Sequence, residues 1–372
     1  MATWMLVTTA AFIVGRPLAD NLCDGDRWLR AGLAIPLSLV VVALTAYLLG
    51  LVWFGRPTAW VAAATPIALA GGLVRWRGYP SLERADVTVI MVFVLAAGLM
   101  MGVRGADPAI VPSGGEKFLD YGLLRSLIRA ETLPPIDPWF AGEPVRYYYG
   151  GQLGIATISL LGGSDPAVAY NLGIILTYAT VVATAAAIGA SLSGRPTVSA
   201  VGSALAVGVA SNPMPGVRIL VGLLPPLVQS AVVGPLAAST QYDAEVLTAG
   251  VDVFFYWWAS RVIPGTITEF PLFAFRNGDL HAHMLGMPTV LAALGLALAL
   301  VRTGATQRWR RWALIGVMGV LAGWQAVQNT WDVPIIIGLV GLASLLGALR
   351  RGAVGVAPLR VAIGAGLMAA VV

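Results

Sequence analysis

Long apolar runs alternate with short polar breaks along this chain. The runs predict helical spans near 2–16, 32–53, 58–74, 86–103, 148–163, 166–192, 197–212, 219–237, 284–301, 312–328, 333–349 and 358–372. A helix needs about 20 apolar residues to cross the hydrocarbon core, so several of these spans are marginal in length. The pattern predicts an all-α polytopic membrane protein of about 11–12 spans with two long polar loops, 104–147 and 238–283. The first run has the length of a signal-peptide core, but it has no Lys or Arg before it and Arg16 after it, the reverse of a secretory signal. The last run stays apolar to Val372 with no polar flank, as expected of a fragment or of a chain truncated at its C-terminus. The whole of 1–372 reads as one integral membrane domain.

Composition agrees. With 58% hydrophobic and 11% charged residues and a mean hydropathy of +0.81, the chain lacks the polar surface to cover a soluble globule. Cys23 is the single cysteine and forms no internal disulfide. The net charge of +5 is no signal for nucleic acid, because the basic residues cluster at span ends. Alternating the twelve spans across a cell membrane puts 14 of the 23 Lys and Arg residues inside when loop 104–147 faces out. Loop 238–283 then lands on the same outer face. Two polar loops on one face are expected to build one cavity.

In the first loop, Leu119, Leu123, Leu124, Leu127 and Ile128 recur at helical spacing, with Arg125, Arg129 and Glu131 opposite. This predicts an amphipathic helix on the membrane surface, ended by the prolines of 132–138. Glu116 and Asp120 are four apart and share a face; their repulsion raises the pKa of one and suits the pair to proton transfer or metal binding. The alternative for Glu116 is a capping box with Ser113. Asp137, before Pro138 and Trp139, is either a third acid or a turn former. Tyr147, Tyr148 and Tyr149 stand where a span begins, either as an interfacial belt or with one ring turned into the bundle.

The second loop carries Arg261, Glu269 and the segment RNGDLHAH. In an extended segment Asp279, His281 and His283 point the same way and converge on a divalent metal ion; in a helix they do not. Arg261 beside Trp257 and Trp258 pairs a phosphate-binding fork with aromatics able to stack on a sugar. Asn329, Trp331 and Asp332 form a further polar cluster, in which Asp332 either joins the site or favours a helix dipole. No P-loop, dinucleotide fingerprint, zincin motif or serine-hydrolase elbow is present.

The elements E-K-x-x-D, P-P-x-D-P-W and Y-Y-Y, with WWASRVIP, TEFP and GDLHAH, resemble the YYY-motif (Chlor-Arch-YYY) membrane protein family. More distantly, an acidic pair on a helix after a span, followed by D-P-W, resembles the first outer loop of GT-C glycosyltransferases. That resemblance implies a GT-C-like bundle over 86–372 with extra spans over 1–85. It also implies a sugar transferred from a polyprenyl-phosphate-linked donor at the outer face. Glu116 matches the loop acid and Asp120 lies one turn along. Lys117 stands where a second acid is common, a departure that bears on metal binding. The expected partners are membrane lipid and a lipid-linked sugar donor, not nucleic acid. The alternative is a transporter or a lipid-handling assembly component, for which the Pro225-Pro226 break in span 219–237 is the single hint.

Overall fold

A computed structural model describes residues 2–23, 25–111, 116–240, 242–248, 258–353 and 355–371. Helices dominate them: α1 Ala2–Cys23, α2 Arg27–Gly50, α3 Arg56–Arg77, α4 Arg84–Ala106, α5 Lys117–Arg129, α6 Gly150–Gly162, α7 Pro166–Leu192, α8 Pro196–Leu205, α9 Met214–Gly222, α10 Pro226–Ser239, α11 Ala244–Thr248, α12 Pro271–Asn277, α13 Ala282–Arg302, α14 Arg308–Gln328, α15 Val333–Arg350 and α16 Ala357–Val371. A single π-turn, Ala206–Ala210, continues α8. The protein is an all-α polytopic membrane protein, and no strand is formed among the described residues.

The count of crossings differs from the twelve expected. Among the described residues seven helices are long and apolar enough to cross, or eight if α8, its π-turn and α9 count as one span bent by 83°. Two predicted spans fail for identifiable reasons. Span 219–237 breaks at Pro225, whose ring cannot continue a helix, and Pro226 opens a new one as its first residue. Helix α6 has 13 residues, about 20 Å at 1.5 Å per residue, too short for the core. It also starts and finishes at one end of the bundle. Tyr149, just before it, stacks near Tyr47 at the end of α2, and Arg56, which opens α3, donates from Nε to the Leu160 carbonyl.

One core runs through the bundle, from Trp4 of α1 through Leu33, Leu153, Tyr170 and Leu296 to Val340 of α15. Helix α7 is its axis and lies buried along almost its whole length. The end away from α6 is held by charge. Arg16 grips Asp86 through Nε at 2.9 Å and Nη2 at 3.0 Å, and Arg30 donates to Glu83 at 2.6 Å. Arg302 on α13 reaches Asp26 and Ser191, joining α13, α2 and α7. The buried, bidentate Arg16–Asp86 pair specifies geometry more than it adds stability, because desolvation offsets most of the attraction.

Helix α5 does not lay its leucine stripe on lipid. Leu123, Leu124 and Leu127 are buried against α6 and α7, and the same face carries Lys117 and Asp120 inward. This is what brings the charged start of α5 into the protein.

Candidate functional site

The site lies where α5, α6, α7 and α13 meet at the end of the bundle opposite the arginine clamps. It begins with glycine. Gly278 ends α12 at φ +73°, and a Cβ there would sit 2.3 Å from Arg104 Nη1, so glycine both makes the turn and admits the guanidinium. Beyond it Asp279, Leu280 and His281 run extended until α13 starts at Ala282, with His281 as its N-cap residue. The Leu280 amide donates to the Tyr170 hydroxyl of α7 at 3.0 Å, and the Leu280 carbonyl accepts from Gln152 Nε2 of α6 at 3.0 Å. Gly151 lets α6 come this close, because a Cβ there would meet Leu285 at 2.5 Å.

The two loops meet here. His281 Nε2 lies 2.6 Å from Glu116 Oε2, and His283 Nε2 lies 3.0 Å from Glu269 Oε2, off the line of a hydrogen bond. The two rings face each other through Nδ1 at 2.7 Å. The result is a chain, carboxylate–imidazole–imidazole–carboxylate, with three contacts. The Nδ1–Nδ1 contact needs one proton between the two rings. A proton on each Nδ1 would set two N–H groups against each other. Burial, and then the charge of His283, push His281 below the usual histidine range. The nearness of His283 holds Glu269 below the usual carboxylate range.

This geometry corrects the expected ligand set. Asp279, His281 and His283 do not converge, because α13 begins between the histidines and breaks the extended alternation. Among the described residues no three His, Cys, Asp or Glu side chains converge on one point.

Behind the chain sit two carboxylates with little compensation. Asp120 is fully buried; Gln152 Nε2 reaches its Oδ1 at 3.3 Å, and its Oδ2 has no partner among the described residues. Burial, with Asp279 and Glu116 nearby, lifts its pKa well above the usual carboxylate range. Asp279 is raised to about 6, chiefly by burial and against the pull of Lys117. Lys117 is itself buried.

The remaining candidates divide. Tyr147 feels both Glu116 and Asp120 and lines the site beside Tyr148, their ring centroids 3.9 Å apart. Tyr149 turns away into the core against Tyr47. Asp332 accepts from Asn329 Nδ2 at 2.9 Å and Gln325 Nε2 at 3.2 Å, next to the first turn of α13, whereas Trp331 is exposed. Asp137 forms the turn: its Oδ1 accepts from the amides of Trp139 and Phe140 at 2.7 and 3.0 Å. Trp139 then stacks edge-on against Phe118 of α5. Arg261 donates to Ser260 Oγ at 2.6 Å. Trp257, the side chain of Trp258 and the Ser113 partner of a capping box lie outside the described residues. As the N-cap residue of α5, Glu116 makes no side-chain cap and spends its carboxylate on His281.

Sequence reasoning missed Gln152, Tyr170, Arg104 and Asn171. Gln152 was findable as the one strongly polar side chain inside an apolar run following Y-Y-Y-G-G. Arg104 read as an ordinary flanking cation, yet it is buried and donates from Nε to Asn171 Oδ1 at 2.9 Å.

A model of the uncharacterized membrane protein family DUF2298 matches residues 39–372. No curated protein and no solved structure matches the chain.

Proposed function

This chain belongs to the DUF2298 family of uncharacterized membrane proteins, and on that footing we propose that it is a transferase that moves a sugar from a polyprenyl-phosphate-linked donor to an acceptor at the outer membrane face. The observation that carries the reading is the 2.6 Å contact between Glu116 and His281, made by two loops far apart in sequence at one end of an apolar bundle. It fixes one carboxylate oxygen and leaves Glu116 substantially exposed, its side chain 61% accessible. An oriented, accessible carboxylate is what a general base requires. In the step, Glu116 takes the proton of the acceptor hydroxyl as its oxygen bonds the anomeric carbon. The bond from that carbon to the phosphate oxygen breaks, and the lipid phosphate leaves with the electron pair. Tyr147 and Tyr148 offer the sugar an aromatic wall at the same mouth.

The test is transfer from labelled polyprenyl-phosphate sugars by membranes holding the wild type or Glu116→Gln. The amide keeps the size and an acceptor oxygen but takes no proton. Transfer is expected to fall about a hundred-fold or more, with insertion unchanged. Full activity in Glu116→Gln removes Glu116 as the base. No transfer by the wild type from any lipid-linked sugar removes the enzyme reading and favours a transporter or lipid-handling role.

A further inference from the structure

The arginine-rich end of the bundle carries a hollow of its own, of about 380 Å³, between α14, α15 and α16. Arg308 and Arg311 reach it from the start of α14, Arg351 from the end of α15 and Arg360 from the start of α16. Arg308 and Arg360 are exposed, and Arg311 and Arg351 are half-buried. About two turns further along each helix the lining is apolar, with Ile315, Ala343 and Ala365. An apolar hollow with a cationic rim is the result.

No acid answers these four charges. Asp332 is the one acidic residue after Asp279, and it lies at the far end of the bundle with Gln325 and Asn329. Among the described residues none of the four arginines forms an ion pair, whereas Arg16, Arg30 and Arg302 at the same end are each spent on a carboxylate. Arg311 donates from Nη1 to the Gly304 and Ala305 carbonyls at 2.8 and 3.0 Å, and Arg351 from Nη1 to the Thr303 carbonyl at 3.2 Å. Those carbonyls of the turn between α13 and α14 orient the guanidiniums and leave their charge in place. Burial, and then the charge of Arg311, push Arg351 below the usual arginine range. Helix polarity adds to the imbalance. Helices α14 and α16 both begin here with no acid in the first turn, and a cation at the positive end of a helix is disfavoured. Ser344, two turns into α15 from Arg351, lines the same hollow; it is buried and its Oγ has no partner among the described residues. The tendency of basic residues to collect at one membrane face does not require four of them around one hollow.

We infer that this hollow binds an anionic phospholipid from the leaflet at its own end, with the phosphate received by Arg308, Arg311, Arg351 and Arg360 and one acyl chain against the apolar lining. The guanidinium forks match phosphate oxygens, and a phosphate supplies the negative charge that the chain itself withholds from this end. Basic pockets between membrane helices hold headgroups of this kind. The Ser344 hydroxyl then has an acceptor in the ester oxygens that follow the phosphate into the bilayer. The inference stands on this hollow and makes no use of sugar transfer.

The experiment is photo-crosslinking of the purified protein reconstituted in phosphatidylcholine vesicles. One preparation contains a diazirine-tailed phosphatidic acid and the other a diacylglycerol with the same tails. Phosphatidic acid is expected to label peptides of α14, α15 and α16 at least about ten-fold more than the diacylglycerol, a factor within reach of two of the four charges. Arg308 and Arg360 make no side-chain hydrogen bond among the described residues, so changing both to glutamine removes charge and no contact. Arg308→Gln with Arg360→Gln is expected to bring phosphatidic acid down to the diacylglycerol level, and Arg308→Lys with Arg360→Lys to keep most of the difference. Gly364 lines the hollow with open space around it, so Gly364→Phe fills it without a clash and is expected to abolish labelling. Equal labelling of the wild type by both lipids overturns the inference, and that comparison needs no variant to fold. Undiminished labelling in the glutamine double variant or in Gly364→Phe also overturns it. Displacement of the lipid by an equal concentration of inorganic phosphate does so too, since it makes the hollow a site for free anions.

Discussion

Asp120 and the two histidines make the site's chemistry measurable one side chain at a time. Because burial raises Asp120, the folded protein binds its proton more tightly than the unfolded chain does. That contribution to stability is present at low pH and is lost as pH rises through the folded value. Asp120→Asn, which keeps an acceptor for Gln152, is therefore expected to be more thermostable than wild type at pH 8 and to converge with it toward pH 4. A melting curve at each pH checks this; a variant less stable at pH 8 shows the charge to be compensated. The histidine pair makes a second expectation. Nitrogen-detected NMR should place the titration of His281 below 6.5, and His283→Ala should move it upward by removing a like charge. His281→Ala is expected to leave bound divalent metal unchanged by elemental analysis, since its Nε2 faces Glu116 and its Nδ1 faces His283. Much of this was legible: Glu116, Asp120, Glu269 and the two histidines all stand out as charged or titratable groups in an apolar chain. Their pairing was not, because it depends on where α13 begins, and one residue of helix start decides whether D-x-H-x-H is a fan or a broken line.

Helices α5 and α6 show what periodicity carries and what it does not. The leucine spacing of α5 was read correctly as one apolar face, but an apolar face suits lipid and protein alike, and here α6 and α7 took it. For α6, apolarity was read as a crossing, whereas Gly150 and Gly151 mark a close approach to α14 and α13. Gly151→Leu is expected to cost roughly 1–3 kcal/mol by overpacking, read as a lowered melting temperature with reduced yield. Its effect should exceed that of Gly154→Leu, where a Cβ meets its nearest neighbour, in Ala43, at 3.6 Å. Equal effects would show that the Gly-Gly pair does not set the spacing of α6.

For the whole molecule, the distribution of arginine is the readable quantity. With α6 returning to its own end, the 219–237 break not crossing and the other ten expected spans counted as crossings, Arg195 and Arg218 exchange ends, and the division of basic residues remains 14 to 9. The arginine-rich end is expected to face the cytoplasm. In a background where buried Cys23 is replaced by alanine, cysteines at exposed Tyr79 and Trp139 should react with an impermeant maleimide from opposite sides, Trp139→Cys from outside. Labelling of both from one side would overturn that orientation.

Four crossings were expected between the two polar loops and the chain uses two, counting α8, its π-turn and α9 as one, yet Glu116 and His281 still touch. Sidedness is a parity, not a count. A re-entrant helix such as α6 leaves that parity untouched, so a chain on this plan can gain or lose one without carrying a single arginine across the membrane.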